Sequence, residues 1–257
     1  MNLMRASVFS WQNIQLKLFA FLCLGLSLSF AATAADRTVQ SSVQTSARYV
    51  QTAPSVDGIG KQYLGREIAA VMGWQGADWL ERPERAQEEG SEILLQRLQL
   101  KRGLRVADVG AGTGYYARRI ARAVAPGSVY AVDVQPQMIA LLTERAKAAG
   151  ITNLLPVLAS VKSTRLAPET IDLALMVDVY HELEFPFEVL ASIVKALKPG
   201  GRVVFVEYRA EDAAVPIKPL HKMTEAQVRK EAEVHALRFV KTDASLPWQH
   251  LIFFEKR

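Results

Sequence analysis

An aspartate and three glycines recur at every second position in residues 106–121, VADVGAGTGYYARRIA. They are Asp108, Gly110, Gly112 and Gly114. Glycine permits tight turns and lets backbone approach a ligand closely, so a glycine loop between a strand and a helix is a candidate ligand site. A dinucleotide fingerprint would need its third glycine at position 115, which is Tyr115. The spacing therefore favours a ligand without a pyrophosphate on the helix terminus; the alternative is a glycine-rich turn that binds nothing.

Asp133 ends the next apolar run and lies nineteen residues after Gly114. A carboxylate in this position can accept hydrogen bonds from both ribose hydroxyls of an adenosine. Alone, Asp133 would be an ordinary residue at a strand end. In the same βαβ unit as the glycine loop, it predicts a nucleoside-binding site.

Residues 176–186, MVDVYHELEFP, contain the candidate catalytic groups. His181 has a side chain suited to general base catalysis near neutral pH, and Glu182 is adjacent. Asp178 could contact either a donor or an acceptor. The alternative is that His181 and Glu182 cap the following helix or pair with arginines. Asp178 and Glu207 could in principle hold a metal, but no further carboxylate or amide at a familiar spacing supports one, so we predict no metal.

Two other segments could face an acceptor. Residues 207–223, EYRAEDAAVPIKPLHKM, include His221 and several charged side chains that could bind an anionic acceptor or simply be solvated. Trp74 and Trp79 precede the main domain. They could cover the acceptor, or pack on the edge of the sheet.

Apolar runs and helical patterns alternate from Ser91 onward, which predicts an α/β fold with a parallel sheet and helices on both faces. The predicted strands span residues 105–109, 128–132, 154–158, 171–177 and 202–207, with two more near 238–242 and 250–255. Pro156 restricts its strand to an edge or a bulge. The nearly continuous apolar run 171–177 indicates a strand buried on both faces.

Residues 91–257 resemble the class I S-adenosylmethionine-dependent methyltransferases of the small-molecule type, similar to methyltransferase type 11. The motifs that carry the resemblance are VADVGAGTG (106–114), VYAVDVQPQMI (129–139) and ALKPGGRVVFVE (196–207). The resemblance implies a Rossmann-like, seven-stranded, mostly parallel sheet whose last strand is antiparallel. It also implies S-adenosylmethionine as methyl donor. The predicted donor-binding residues are Asp108, Gly110, Ala111, Gly112, Gly114, Asp133, Val134, Ser160, Val161 and Asp178.

One position departs from the family pattern. Many members carry, after the third strand of the domain, an acid that contacts the adenine amino group, and here that position is Ser160. Serine can still hydrogen bond, and backbone at Val161 could supply part of the contact.

The sequence therefore predicts methyl transfer to an unidentified small-molecule acceptor. The alternative is a catalytically silent binding module that keeps the donor pocket; a nucleotide-dependent oxidoreductase is disfavoured by Tyr115.

The formal net charge is +5, and without Arg5 and Lys17 in residues 1–35 the chain has 29 basic and 26 acidic residues. This excess is too small to indicate a nucleic-acid partner. The oligomeric state is not predicted.

Residues 1–35 have the pattern of a secretory signal peptide. Lys17 precedes an uncharged, mostly apolar run over 18–30, and Ala32 and Ala34 fit a signal-peptidase site. We expect cleavage near Ala34 or Ala35 and a periplasmic or secreted protein; a membrane-anchored protein is the alternative. Any membrane contact would be through this leader. The remaining predicted regions are a flexible linker (36–62), an N-terminal cap segment (63–90) and the methyltransferase domain (91–257).

Overall fold

The computed structural model describes residues 48–257. The predicted signal peptide and the first part of the predicted linker lie outside the described residues. Across 48–257, no helix combines the length and apolar character needed to cross a bilayer.

The described chain begins with a three-stranded antiparallel sheet of β1 (Tyr49–Gln51), β2 (Gly58–Tyr63) and β3 (Arg66–Ala69). The predicted flexible linker is therefore wrong for residues 49–51 and 58–62. Tyr49 and Tyr63 are buried, and the Tyr49 ring meets that of Phe185 edge-on, with centroids 5.8 Å apart. Phe185 lies far along the chain, so the local sequence gives no sign of this packing.

The cap segment (63–90) continues with a 3-10 helix over Trp74–Glu81 and the short α1 (Arg85–Glu88). The helices that follow are α2 (Ser91–Arg97), α3 (Tyr115–Val124), α4 (Pro136–Ala148), α5 (Pro186–Ala196) and α6 (Glu225–Ala232), with 3-10 turns at Tyr180–Glu182 and Pro219–His221. Pro136 stands in the first turn of α4, where its missing N–H costs nothing. The Thr224 side chain caps α6 by accepting from the backbone N–H of Gln227.

Seven strands form the main sheet. They are β4 (Arg105–Val109), β5 (Ser128–Asp133), β6 (Leu154–Leu158), β7 (Ile171–Val177), β8 (Leu197–Tyr208), β9 (Leu237–Asp243) and β10 (Gln249–Lys256). Their order across the sheet is β6-β5-β4-β7-β8-β10-β9. β10 is antiparallel to both neighbours, while β6, β5, β4, β7 and β8 are parallel. The predicted fold class is confirmed, and the strand containing Pro156 lies at the edge.

The described residues form one compact unit in which apolar clusters cover both faces of the main sheet. Val106 and Ala107, successive on β4, belong to opposite clusters, as the alternation of side chains along a strand requires. Helices α2 and α3 pack on one face, and α5 and α6 pack on the other. The parallel strands consequently all end along one edge, where loops are free to build a site.

Candidate functional site

A cavity of about 590 Å³ opens at the carboxyl ends of the parallel strands. Val109, Asp133, Val177 and Tyr208, the last residues of β4, β5, β7 and β8, all line it. This is the edge at which open α/β sheets bind ligands, and the volume lies within the range of small-molecule sites.

Most of the predicted donor-binding residues line this cavity. They are Asp108, Gly110, Ala111, Gly112, Asp133, Val134, Ser160, Val161 and Asp178, and the predicted catalytic pair His181 and Glu182 line it as well. Gly114 does not. It begins α3 with a φ of 80°, and a Cβ there would lie 3.1 Å from the Leu142 side chain. Its assignment to the donor site stays a prediction, while close packing against Leu142 and the positive φ by themselves favour glycine here.

The glycine loop is fixed to the end of β5 by hydrogen bonds. The Asp133 carboxylate accepts the backbone N–H of Gly112 at 2.9 Å and that of Gln135 at 2.9 Å. Burial raises the pKa of Asp133, although these hydrogen bonds act in the opposite direction. A carboxylate has about four lone-pair sites, so Asp133 can still accept hydrogen bonds from two ribose hydroxyls.

The cap segment lies over the glycine loop. A Cβ on Gly112 would come within 2.6 Å of the Leu80 side chain. The Gln135 side chain accepts from the backbone N–H of Trp74 at 2.8 Å and donates to the Met72 carbonyl at 3.0 Å. Residues from the cap and from the end of β5 therefore close one side of the cavity together.

The two tryptophans of the cap do not fill the cavity. Trp74 is 42% exposed and Trp79 is 50% exposed; Trp79 lines the cavity, and the Arg82 guanidinium lies 3.7 Å from its ring centroid. Met72 and Leu80 line the cavity as well. The cover considered for Trp74 and Trp79 therefore comes from Trp79 together with two smaller apolar side chains.

Asp178 is a buried acid whose hydrogen bonding is incomplete. Its Oδ2 accepts from the Gln249 side chain at 3.1 Å, while Oδ1 has no partner within the described residues. Burial raises its pKa well above the ordinary value, and nearby Glu89 and Glu207 raise it further. Since Asp178 lines the cavity, the unpaired oxygen suits a hydrogen-bond donor on a bound ligand.

His181 and its neighbours form a polar cluster in the same cavity. His181 Nδ1 lies 2.6 Å from Glu207 Oε2, and the other oxygen of Glu207 accepts the backbone N–H of Tyr180 at 2.9 Å. Burial alone would lower the pKa of His181, but Glu207 and Glu182 outweigh it and raise that pKa to about 10. An imidazole that already holds a proton at neutral pH cannot accept another. General base catalysis by His181 stays a prediction, and this environment opposes it.

His221 completes this cluster from the 3-10 turn at Pro219–His221. Its Nδ1 lies 3.2 Å from His181 Nε2 and 3.3 Å from Glu182 Oε1. The sequence marked His221 only as a possible anion contact, because forty residues separate the two histidines. Asp178 and Glu207, considered above as a metal pair, bond to different groups. Asp178 accepts from Gln249, whereas Glu207 contacts His181 and the backbone N–H of Tyr180.

Comparison with known proteins agrees with this geometry. A family model described as "Methyltransferase domain" matches residues 107–205. The chain is 30% identical over 118 residues to a tRNA U34 carboxymethyltransferase of Desulfotalea psychrophila, covering 44% of this chain and 37% of that protein. It is 33% identical over 104 residues to a mitochondrial ubiquinone biosynthesis O-methyltransferase of Schizosaccharomyces pombe, covering 40% and 37%. The chain thus spans little more than a third of the length of these relatives.

Among solved structures, a SAM-dependent methyltransferase from Aquifex aeolicus matches with a TM-score of 0.69 and 23% identity, over 73% of this chain and all of that one. The fold is therefore that of the S-adenosylmethionine-dependent methyltransferases. Residues 107–205 are similar to the methyltransferase domain family, and that family and fold imply S-adenosylmethionine as the donor.

Proposed function

We infer that this protein transfers the methyl group of S-adenosylmethionine to a small-molecule acceptor in the cavity. The observation that carries the proposal is that two sites share one cavity. The glycine loop held by Asp133 provides a donor site, and the cluster of His181, Glu182 and His221 provides polar groups for an acceptor.

The residues present fit the donor in three places. Asp133 retains lone pairs for the ribose hydroxyls. The unpaired oxygen of buried Asp178 suits the ammonium group of the methionine portion. Ser160 and Val161 line the side of the cavity that follows β6, where the adenine would lie.

S-adenosylmethionine supplies, when bound, a methyl group on a sulfonium sulfur. In the transfer, the acceptor's lone pair forms the new bond to the methyl carbon, the electrons of the C–S bond remain on sulfur, and an O–H or N–H acceptor releases a proton. The chain contributes orientation and exclusion of water. Leu80 and Met72 of the cap supply apolar cover on the donor side.

The acceptor space combines apolar walls with a few polar groups. Val179, Leu183 and Ile217 line it beside the His181 cluster, and Lys218 lies at its margin. This composition suits a small, largely apolar acceptor that carries a polar atom to be oriented. The substrates named for the two relatives belong to those proteins, and their diversity leaves the acceptor open.

Binding and turnover test the proposal separately. The full chain is titrated calorimetrically with S-adenosylmethionine, and formation of S-adenosylhomocysteine is then followed across hydroxyl, amine, thiol and carbon acceptors. Donor binding with product formation supports methyl transfer. Donor binding without product for any acceptor class supports the silent binding module, and absence of donor binding contradicts both.

Export is a separate part of the proposal and depends on the leader composition. The uncharged run over 18–30 and the alanines at 32 and 34 support cleavage near Ala34 or Ala35. An exported enzyme would need a donor that is made in the cytoplasm. Fractionation with N-terminal sequencing tests this. A mature species in the periplasm or medium is expected, and a soluble cytoplasmic species that begins at Met1 would overturn it.

A further inference from the structure

Three donor atoms from two distant segments converge in the cavity. They are Nε2 of His181, Nδ1 of His221 and Oε1 of Glu182. The two nitrogens are 3.2 Å apart, and the carboxylate oxygen lies 3.3 Å from His221 Nδ1 and 3.7 Å from His181 Nε2. The imidazole planes meet at 77°, so the rings do not stack. The three atoms form a nearly equilateral triangle.

The size of this triangle matches one face of a tetrahedral metal site. Ligand atoms about 2.0–2.1 Å from a tetrahedral ion are roughly 3.3–3.4 Å from one another. The distances of 3.2, 3.3 and 3.7 Å lie around this value. Octahedral magnesium would require neighbouring ligands at about 2.9 Å and prefers oxygen to imidazole.

The surroundings provide the second layer of contacts that metal ligands usually have. Glu207 is completely buried and bonds the far nitrogen of His181, which leaves Nε2 directed into the cluster. Glu182 is held through its other oxygen, which accepts the backbone N–H of Met72 at 3.2 Å. The side chains of His181 and Glu182 are therefore oriented by groups outside the triangle.

The charge of the cluster also suits a cation. Glu182 and Glu207 bring two carboxylates to the two histidines, and a bound cation would displace the proton that these carboxylates favour on His181. With a metal ion between them, the facing nitrogens of His181 and His221 would each direct a lone pair at the ion. The contact of 3.2 Å then needs no shared proton.

We propose that His181, Glu182 and His221 bind a divalent first-row transition metal of the zinc class, with Glu207 as a positioning residue. Two imidazoles and one carboxylate leave at least one coordination position for a further ligand. All three side chains line the cavity, which can therefore supply that ligand. An oxygen-bearing acceptor, such as a hydroxyl or carboxylate compound, is the ligand class that fits. This last role rests on the proposed methyl transfer, whereas metal binding itself does not.

Metal binding is tested on the purified full chain without a polyhistidine tag. The protein is stripped with a chelator, dialysed against Zn²⁺, and analysed for bound zinc by mass spectrometry. Co²⁺ then replaces Zn²⁺ as a spectroscopic probe of coordination. We expect one zinc per chain and visible cobalt absorption of tetrahedral intensity. Absence of stoichiometric zinc from the stripped and reloaded protein would overturn the proposal.

Single substitutions assign the ligands. His221→Gln and Glu182→Gln should weaken zinc binding more than Glu207→Gln, for which about 10- to 100-fold is expected. His235→Gln is the matched control, because His235 packs on Phe187 away from the cluster. The assignment is contradicted if zinc binding falls equally in the control. It is also contradicted if folded His221→Gln binds zinc as tightly as wild type. His221 is the most exposed of the three side chains, so its replacement is the least disruptive to folding.

Titration with S-adenosylmethionine separates this inference from the proposed function. If the protein binds one zinc per chain but transfers no methyl group, the metal site is supported and only the proposed methyl transfer is contradicted. Donor binding and product formation in protein that takes up no zinc supports methyl transfer and overturns the metal site.

Discussion

The backbone N–H of Gly112 donates a hydrogen bond of 2.9 Å to the carboxylate of Asp133. This contact joins the loop after β4 to the end of β5, so the two parts of the predicted nucleoside site are directly connected. A ligand that bonds Asp133 therefore meets a carboxylate already held in place by two backbone donors. Such a preformed site loses little conformational freedom on binding.

Replacing Asp133 should weaken the binding of S-adenosylmethionine. Asp133→Ala removes the proposed acceptor for the ribose hydroxyls, and we expect a loss of about 1–3 kcal/mol in calorimetric titration. Asp172→Ala is the matched control, because Asp172 also accepts a backbone N–H, from Arg105, but lies outside the cavity. Equal donor affinity in folded Asp133→Ala and wild type would refute the ribose assignment.

A side chain at Gly112 should reduce donor affinity, whereas a side chain at Gly103 should not. Both glycines have positive φ, 53° and 87°, so alanine strains either backbone. At Gly112 the added Cβ also lies 2.6 Å from Leu80, whereas nothing lies within 4 Å at Gly103. Both Gly→Ala variants should lose about 1 kcal/mol or more of stability in urea unfolding. Donor affinity should fall only in Gly112→Ala, and a parallel fall in Gly103→Ala would show that the effect is not local.

The main sheet could be predicted from sequence because its signals are local. The apolar run 171–177 corresponds to β7 at both ends, and Pro156 placed its strand at an edge. β1 and β2 could not be predicted in this way, because their tyrosines are buried by contacts made far along the chain.

The candidate site likewise has one part that local sequence predicts and one part that depends on contacts between distant segments. Asp108, the glycine loop and Asp133 follow one another within a single βαβ unit, so spacing alone brought them together. The cluster of His181 and His221 depends on the course of the chain after β8, which no short motif specifies. Gly114 packs against Leu142 at the start of α3, and its assignment to the donor site stays a prediction.

The stability of the protein without donor should depend on pH through Asp108. Burial raises the pKa of this carboxyl to about 7, although Arg85 and the Ala117 N–H oppose the shift. In the unfolded chain its pKa is about 3.9. The folded state therefore binds a proton that the unfolded state has lost, and this contribution to stability disappears as pH rises from about 4 to 7.

Asp108→Asn should remove that dependence. Compared with wild type, the variant should gain free energy of unfolding between pH 5 and pH 7, by at most about 1.4 kcal/mol per pH unit. Asp243→Asn is the matched control. Partial burial raises the pKa of Asp243, but hydrogen bonds from Ser245 outweigh it and the net shift is downward. Because the pKa of Asp243 lies below this range in both the folded and the unfolded states, its replacement should leave the pH dependence above pH 5 unchanged. A constant difference between Asp108→Asn and wild type across this range would contradict the assigned ionisation.

Glu89 should contribute far more to stability than an exposed glutamate in an equivalent pair. Its carboxylate is buried, accepts from Arg82 and Arg85 at 2.8 Å each, and accepts from the Tyr208 hydroxyl at 3.2 Å. Glu89→Gln leaves buried Arg85 without its anion, and we expect a loss of about 3–5 kcal/mol in the free energy of unfolding measured with urea. Glu233→Gln is the matched control, because Glu233 also pairs with an arginine four residues earlier, Arg229, but at 3.6 Å and largely exposed. That variant should lose about 0.5 kcal/mol or less. Similar losses in the two variants would mean that the buried pair adds no more than a surface contact.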